Sequence, residues 1–268
     1  MSFLDFWQNL PSLVSPSFNL FGFSVQYYSL AYLFGFLAVY LLGLRSIAKF
    51  SLKIKRKEFE NLCLNGFLMA ILGGRVFYVL FYNLAYFLER PLEIIWPFNE
   101  LGNFVGISGM SFHGGFIFTF LYLLFALKKY DISYKDFQIA LVPQIPIAIF
   151  LGRLANFLNG ELYGRVTESK IGMYFNDVLR HPSQLYEAFL EGILLFFILN
   201  YIKKTKQSKF LGAYLAGFYL LFRIFVEFFR EPDVQLGLFW GFSMGQILSV
   251  LFLTLIFFLV KTIKSKES

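Results

Sequence analysis

The chain has 268 residues, of which 57% are hydrophobic and only 15% are charged. Soluble proteins carry roughly 25% charged residues, so this composition excludes a soluble fold and predicts a single membrane domain over residues 1–268. The net charge of +7 comes from short Lys/Arg runs beside apolar stretches, without a basic patch interleaved with aromatic residues, so we expect no nucleic-acid partner.

Residues 1–20 contain Phe3, Phe6, Trp7 and two prolines, and they predict a short interfacial or re-entrant element. This segment has no basic n-region and no small-residue cleavage site, so we do not expect a removable signal peptide. Seven apolar stretches follow and predict an all-α polytopic membrane protein with seven transmembrane helices. Their approximate ranges are 21–44, 62–87, 105–127, 137–158, 183–202, 210–229 and 239–260.

The positive charges concentrate in alternate gaps between these stretches. Of the 24 Lys and Arg residues, 16 lie in the gaps after the first, third and fifth spans and in the C-terminal tail. Cytoplasmic loops carry an excess of Lys and Arg, so the pattern predicts an outside N-terminus and a cytoplasmic C-terminus. The chain shows no convincing internal repeat, which is the signature of many secondary transporters.

A few charged residues are stranded inside the apolar stretches. An Arg or Asp at the centre of a membrane helix costs about 2.5–3.5 kcal/mol, so such residues usually mark a functional site. The stranded charges are Arg75, Arg153, Glu187, Glu191, Arg223 and Glu227.

A first polar cluster is the segment Gly109–Gly115, which contains His113 between glycines. Glycines allow close backbone approach and leave the imidazole accessible, and histidine is the side chain best suited to move protons near neutral pH. A helix kink with a hydrogen-bonded core histidine explains this segment equally well.

A second cluster lies at the end of the fourth span, in Gly152–Arg165. Arg153 and Asn156 are three residues apart and project from one helix face, after which Asn159-Gly160 leaves the helix and presents Glu161. Irregular polar backbone at this depth is tolerated only where it lines a cavity or is buried in protein. A purely structural capping network is the alternative interpretation.

A third cluster lies in the sixth span, where Tyr219, Arg223 and Glu227 follow each other at helical spacing and Arg230 comes after them. The fifth span offers complementary groups: Gln184, Glu187 and Glu191. A self-neutralising Arg223–Glu227 ion pair is the simplest alternative, but it leaves Arg230 unexplained. His181-Pro182 fits a helix cap and first helical position, so we interpret His181 as structural.

Other features restrict the chemistry. Cys63 is the single cysteine of the chain and lies at the opposite mouth of its span from the polar clusters, so it is a poor nucleophile candidate. The sequence has no metal-ligand or phosphate-binding Gly-Lys-Ser/Thr motif, and we expect neither metal nor nucleotide cofactor. Guanidinium groups suit phosphate, and in a membrane the obvious phosphate carrier is a phospholipid headgroup.

Taken together, these segments resemble the bacterial prolipoprotein diacylglyceryl transferase family. The resemblance covers nearly the whole chain in order, and its longest motif is Gly152–Arg165. The supporting segments are Met110–Gly115, His181–Glu187, Arg223–Asp233, Gly74–Asn83 and Tyr28. In three places the chain departs from the family pattern. Ala155 and Ser108 stand where the family usually has glycine, and the stretch from Thr167 to Arg180 is short.

The resemblance implies transfer of the diacylglyceryl group of phosphatidylglycerol to the lipobox cysteine of a prolipoprotein in the bacterial inner membrane, with the active site towards the outer (periplasmic) side. On this basis we predict that Arg153, Arg223 and Arg230 hold the headgroup phosphate. His113 is the candidate for accepting the thiol proton, although it could instead only shape the lipid pocket.

The remaining predicted site residues act through hydrogen bonds. We predict that Tyr28, Asn156 and Tyr219 position donor or peptide, and that Glu161, Glu187 and Glu227 orient the arginines. Two further predicted substrate-binding residues are Asn159 and Gly164.

Two other functions fit the stranded charges. A secondary transporter or channel for an organic anion also needs intramembrane Arg/Glu pairs, but its polar residues should reach both faces of the membrane. A scaffold would use the charges only to fix helix packing, and its Arg substitutions would lower stability rather than activity.

Overall fold

The computed structural model describes residues 2–20, 23–98, 109–231, 238–239 and 241–265. Within this part of the chain, seven helical segments are long and apolar enough to cross a membrane, which confirms the predicted all-α polytopic class. Contacts divide the chain into two units, Met1–Leu52 with Lys135–Ser268 and Lys53–Tyr134. Each unit is described by itself.

The helices in chain order are α1 (Phe3–Leu13), α2 (Tyr27–Lys49), α3 (Arg56–Tyr82), α4 (Leu84–Glu89), α5 (Phe112–Lys129), α6 (Tyr134–Leu141), α7 (Ile145–Leu158), α8 (Ser183–Glu187), α9 (Leu195–Ile202), α10 (Leu211–Val226) and α11 (Met244–Ser265). A π-helical segment, Ala188–Leu194, joins α8 to α9. Short 3-10 segments cover Pro91–Ile94, Val142–Gln144 and Lys206–Phe210.

The described strands form antiparallel hairpins. They are β1 (Ser17–Leu20) with β2 (Phe23–Gln26), β3 (Met173–Phe175) with β4 (Val178–Arg180), and β5 (Leu238–Phe239) with β6 (Phe242–Ser243). Their registers pair Ser17 with Gln26, Met173 with Arg180 and Leu238 with Ser243.

Two predicted spans begin later than expected because a β-hairpin precedes the helix. The first span starts at Tyr27 rather than residue 21, after β2, and the last starts at Met244 rather than residue 239, after β6. A short apolar run is compatible with a strand or a helix, and pairing with a neighbouring strand decides between them. Three predicted features lie outside the described residues: the start of the first span at Phe21, the start of the third span at residues 105–108 with the departure at Ser108, and the Pro232-Asp233 end of a family motif.

The N-terminal element is helix α1, whose first turn carries a Ser2–Asp5 capping box. Trp7 Nε1 donates a hydrogen bond of 3.2 Å to the carbonyl oxygen of Ile171. Trp7 also packs on the buried cluster of Phe157, Met173 and Phe175. The short stretch after Thr167 is therefore a compact hairpin packed against α1 and the end of α7.

A buried polar cluster lies at the other end of α2 and α9. Lys203 Nζ donates to Asn200 Oδ1 at 2.6 Å and to Ser46 Oγ at 3.3 Å, and Gln144 Nε2 lies 3.1 Å from the same hydroxyl. The predicted loop residue Lys203 is only 8% exposed. Burial, with smaller contributions from Lys49 and Lys204, lowers the pKa of Lys203 to about 8.

The second unit is built on the close pair α3 and α5. Gly73 of α3 faces Gly114 of α5, and a Cβ on either residue would overlap the other's carbonyl oxygen. Helices in membranes associate through such close packing of small residues, since lipid tails are as apolar as the side chains.

Arg75, one of the stranded charges, holds the loop after α4. Its guanidinium donates to the carbonyl oxygens of Glu93 and Ile94, both at 2.7 Å, and to that of Gly109 at 3.2 Å. It also lies 4.8 Å from the ring centroid of Phe87. Arg75 therefore satisfies backbone carbonyls and fixes the path of this loop.

We expect Gly73→Ala to destabilise the α3–α5 pair by about 1–3 kcal/mol, because the new methyl group overlaps backbone and Phe118. Gly66→Ala is the matched control, since it lies on the same helix and its Cβ would only touch Tyr122 at 4.0 Å. Thermal unfolding in detergent checks this. Equal unfolding temperatures for the two variants would contradict the close-packing interpretation.

Candidate active site

The stranded charges of the first unit converge in one ion cluster. It consists of three arginines and three glutamates from α7, α8, the π segment, α10 and the turn after α10. Its members are Arg153, Arg223, Arg230, Glu187, Glu191 and Glu227. The formal charges of these six side chains sum to zero, as expected for ions removed from water.

Glu187 is the centre of the ion cluster. Its Oε1 accepts from Arg223 at 2.6 Å and from Arg230 at 3.2 Å, and its Oε2 lies 3.1 Å from Arg153 Nη1. The Glu187 side chain is 0% exposed, whereas the three arginine side chains keep 11–18% of their surface accessible. The buried Glu187 carboxylate therefore holds the three guanidinium groups, and the outer edge of each guanidinium group remains partly accessible.

Glu227 links the ion cluster to helix α11. Its Oε2 lies 2.8 Å from Arg223 Nη2, and its Oε1 accepts a 3.0 Å hydrogen bond from Ser243 Oγ, just before α11. The predicted Arg223–Glu227 pair is therefore present, but Arg223 also binds Glu187. The pair is part of a network and does not neutralise itself in isolation.

Arg153 connects the ion cluster to the fifth span. Its Nη2 lies 3.1 Å from Glu191 Oε2 and 3.5 Å from the hydroxyl of Tyr219. Glu191 is predicted as a complementary acid of the fifth span but is not among the predicted site residues, so its contact with Arg153 extends the predicted site. Its spacing of four residues from Glu187 is the signal that places both acids on one face.

The π segment carries this pair of acids. Glu187 ends α8 and Glu191 lies inside Ala188–Leu194, where the helix widens from the usual 3.6 residues per turn. Such π turns occur frequently at functional sites. The π turn lets both carboxylates reach Arg153 on α7.

A second group of predicted residues forms a hydrogen-bonded triad beside α7. Asn156 Nδ2 donates to Glu161 Oε1 at 2.8 Å and to the hydroxyl oxygen of Tyr28. The side chain of Asn156 is buried. Glu161 therefore orients Asn156 and Tyr28, which corrects the prediction that it orients an arginine.

The segment after α7 holds Glu161 in place. Gly160 has φ +64°, a conformation that L side chains rarely adopt, although the space around it is open. Gln184 Nε2 donates to the carbonyl oxygen of Glu161 at 2.6 Å. Asn159 Oδ1 is buried without a hydrogen-bond partner among the described residues, so the predicted Asn159 keeps an unused acceptor.

Gly164 acts through backbone packing. Its N–H donates to the carbonyl oxygen of His181 at 2.8 Å, and it forms a bridge with Arg230. A Cβ at Gly164 would overlap the carbonyl oxygens of His181 and Phe229. Only glycine lets these three segments meet, and their meeting places Arg230 in the ion cluster.

The two histidines lie in different units. The ring of His181 contacts the hydroxyl of Tyr186 through Nδ1 at 3.1 Å and packs on Phe229, and burial lowers its pKa. This environment agrees with a structural role, although Pro182 is the N-cap rather than the first helical residue. His113 is exposed on the first turn of α5, where Ser111 is the N-cap.

The chemistry open to this site is recognition of an anion by guanidinium groups. Each guanidinium carries five N–H donors, and the carboxylate contacts use at most two nitrogen atoms of each arginine. Donors therefore remain for the oxygens of a phosphate. No group of three or more His, Cys, Asp or Glu side chains in the described ranges is arranged to hold a metal ion.

Comparison with known proteins identifies relatives over almost the whole chain. A family model described as Prolipoprotein diacylglyceryl transferase matches residues 16–262. The protein named Phosphatidylglycerol--prolipoprotein diacylglyceryl transferase from Chlorobaculum tepidum is 43% identical, over 94% of this chain and 90% of its own length.

Proteins of the same name from other bacteria show similar sequence identity and coverage. The one from Campylobacter jejuni (strain RM1221) is 42% identical over 94% of each chain. The one from Rickettsia bellii (strain OSU 85-389) is 41% identical over 94% of this chain and 96% of its own. The chain therefore belongs to the prolipoprotein diacylglyceryl transferase family.

Proposed function

We propose that this chain is a membrane enzyme that transfers the diacylglyceryl group of phosphatidylglycerol to the lipobox cysteine of a prolipoprotein. The cysteine sulfur forms a thioether bond to the glyceryl carbon, and the bond from that carbon to the phosphate oxygen breaks. Glycerol phosphate leaves with the bonding electron pair, and the thiol proton passes to a base. The reaction needs no nucleophile from the enzyme.

The observation that carries this proposal is the convergence of three guanidinium groups on the buried carboxylate of Glu187. A phosphate leaving group gains negative charge as the carbon–oxygen bond breaks. Preorganised donors aimed at that charge lower the barrier, because the enzyme does not reorganise during the reaction. Arg153, Arg223 and Arg230 are fixed in this way by Glu187, Glu191 and Glu227.

The hydrogen-bonded triad has a positioning role in this proposal. Tyr28, Asn156 and Glu161 hold each other at the end of α7, the helix that also carries Arg153. A donor phosphate on Arg153 therefore lies near a fixed set of hydroxyl and amide groups. Tyr219, in contact with Arg153, and the unused acceptor of Asn159 would add contacts to the headgroup or the peptide.

His113 is the proposed base for the cysteine thiol. An unperturbed thiol titrates near pH 8.5, so forming the thiolate at neutral pH requires a proton acceptor. His113 is exposed at the start of α5, next to the close approach of Gly114 to Gly73.

The proposed location is the bacterial cytoplasmic membrane, with the N-terminus outside, the C-terminus inside and the active site towards the periplasm. The asymmetry of the positive charges supports this orientation, since 16 of 24 Lys and Arg residues lie on one predicted side. The motifs after α7 and α10 then lie on the outer side, where secreted prolipoproteins would present their cysteine.

The proposed reaction is tested directly with purified protein, phosphatidylglycerol and a lipobox peptide. We expect the peptide cysteine to gain the mass of one diacylglyceryl group, and a peptide with serine in that position to gain none. Absence of the mass gain on the cysteine peptide would contradict the proposed function.

We expect Arg153→Lys to lower kcat by about 100-fold or more, because lysine keeps the charge but loses the fork that binds Glu187, Glu191 and phosphate together. Arg56→Lys is the control, since Arg56 forms an exposed pair with Glu60 on α3. Both are measured by the peptide mass assay. Unchanged turnover in Arg153→Lys would remove Arg153 from the phosphate site.

We expect His113→Gln to lower kcat and to change its dependence on pH, because glutamine cannot accept the thiol proton. His181→Gln is the comparison, and we expect it to lower the unfolding temperature while the shape of the pH profile is kept. Initial rates of peptide modification between pH 6 and about 9 provide the measurement. Near-normal transfer by His113→Gln would exclude His113 as the base.

A further inference from the structure

Glu191 has a feature that the proposed reaction does not use. Its side chain is 0% exposed, and its Oε2 contacts Arg153 at 3.1 Å. Its Oε1 is equally buried and has no hydrogen-bond partner among the described residues. Glu187 Oε2 and Glu227 Oε2 are also buried without a hydrogen bond among the described residues, but each forms an ion pair, with Arg153 at 3.1 Å and with Arg223 at 2.8 Å respectively.

Charge balance changes when a phosphodiester enters the ion cluster. Three guanidinium groups and three carboxylates sum to zero, so a phosphodiester leaves one excess negative charge in a largely desolvated site. An uncompensated buried charge is costly, and a titratable group in such a place is neutralised instead. One carboxylate of the ion cluster is therefore expected to bind a proton.

The contacts of the three carboxylates indicate which one binds the proton. Glu187 is paired with three arginines, and Glu227 is held by Arg223 and Ser243. Glu191 contacts one arginine through one oxygen, and that arginine is among those proposed to hold the phosphate. Its unpartnered Oε1 is the position at which a proton displaces no existing contact.

We propose that Glu191 takes up one proton from water when the phosphodiester of the donor binds, and returns it when the anionic product leaves. The step forms one O–H bond on the Glu191 carboxylate and breaks no other bond of the protein. The inference rests on the proposed function, because it requires the phosphate to bind the arginines. It makes Glu191 a positioning residue that keeps the loaded site neutral.

The groups that face Glu191 come from the elements packed on the π segment. Helix α7 contributes Arg153, α8 contributes Glu187, and α10 contributes Tyr219 and Arg223. The residues of α9 include no charged side chain. Arg153 and Arg223, the two cations of this set, are also among the arginines proposed to contact the phosphate.

Thermodynamic linkage between proton uptake and donor binding gives the sign of the effect of pH on donor affinity. If donor binding is accompanied by proton uptake, affinity for the donor falls as pH rises, by up to about tenfold per pH unit. In Glu191→Gln the side chain is neutral at every pH, so its affinity for the donor should not depend on pH through this step.

The experiment is titration calorimetry of the full-length protein with phosphatidylglycerol micelles in two buffers of different ionisation enthalpy. We expect the wild type to take up about one proton per bound lipid and Glu191→Gln to take up none. Diacylglycerol, which lacks the phosphate, should bind without proton uptake. Glu60→Gln, which changes a glutamate paired with Arg56 on the surface of α3, should retain the uptake.

The outcomes separate this inference from the proposed function. Absence of proton uptake by the wild type overturns the role of Glu191 even when the peptide is modified normally. Uptake that persists in Glu191→Gln overturns it as well. Glu191→Asp, which keeps a titratable carboxylate, should retain the uptake and serves if the glutamine variant does not fold. A protein that binds the lipid with proton uptake but never modifies the peptide contradicts only the transferase proposal.

Discussion

The structure of the first unit depends on the ion pairing of Glu187. This carboxylate is fully buried and holds guanidinium groups from three separate segments of the chain, α7, α10 and the turn after α10. Breaking a buried pair by removing one partner costs about 3–5 kcal/mol, because the remaining charge is uncompensated. The same interaction thus joins the helices and arranges the cations. Stability and the proposed anion recognition therefore depend on the same side chain.

Backbone conformation supports this electrostatic centre at several places. The π segment brings Glu187 and Glu191 to the same arginine, and Gly164 lets three chain segments approach so that Arg230 reaches the ion cluster. Gly160 turns the chain with a positive φ so that Glu161 meets Asn156. The site is therefore built from irregular backbone, which is tolerated inside a membrane protein where it is buried or lines a cavity.

Apolar periodicity predicted the helix class and the seven spans, but the precise boundaries depended on pairing partners. The ranges 23–26 and 238–239 lie just before the helices, and hydrogen bonding to a neighbouring strand makes them parts of hairpins. For Arg75 and Lys203, likewise, the sequence predicted the charge but not the contacts that the side chain makes. Arg75 fixes a loop through backbone carbonyl oxygens, whereas Lys203 is buried among neutral oxygens.

The sequence by itself determined that the chain has seven helices able to cross a membrane, and it drew attention to the charges inside them because placing an ion in hydrocarbon is costly. It also identified the family, since its motifs are long and occur in order. Only the tertiary structure decided how the charges pair. Glu161 binds Asn156 rather than an arginine, and Glu191 joins the ion cluster through Arg153. Residue spacing places side chains on one face of a helix, but which helix faces meet is decided only in the folded chain.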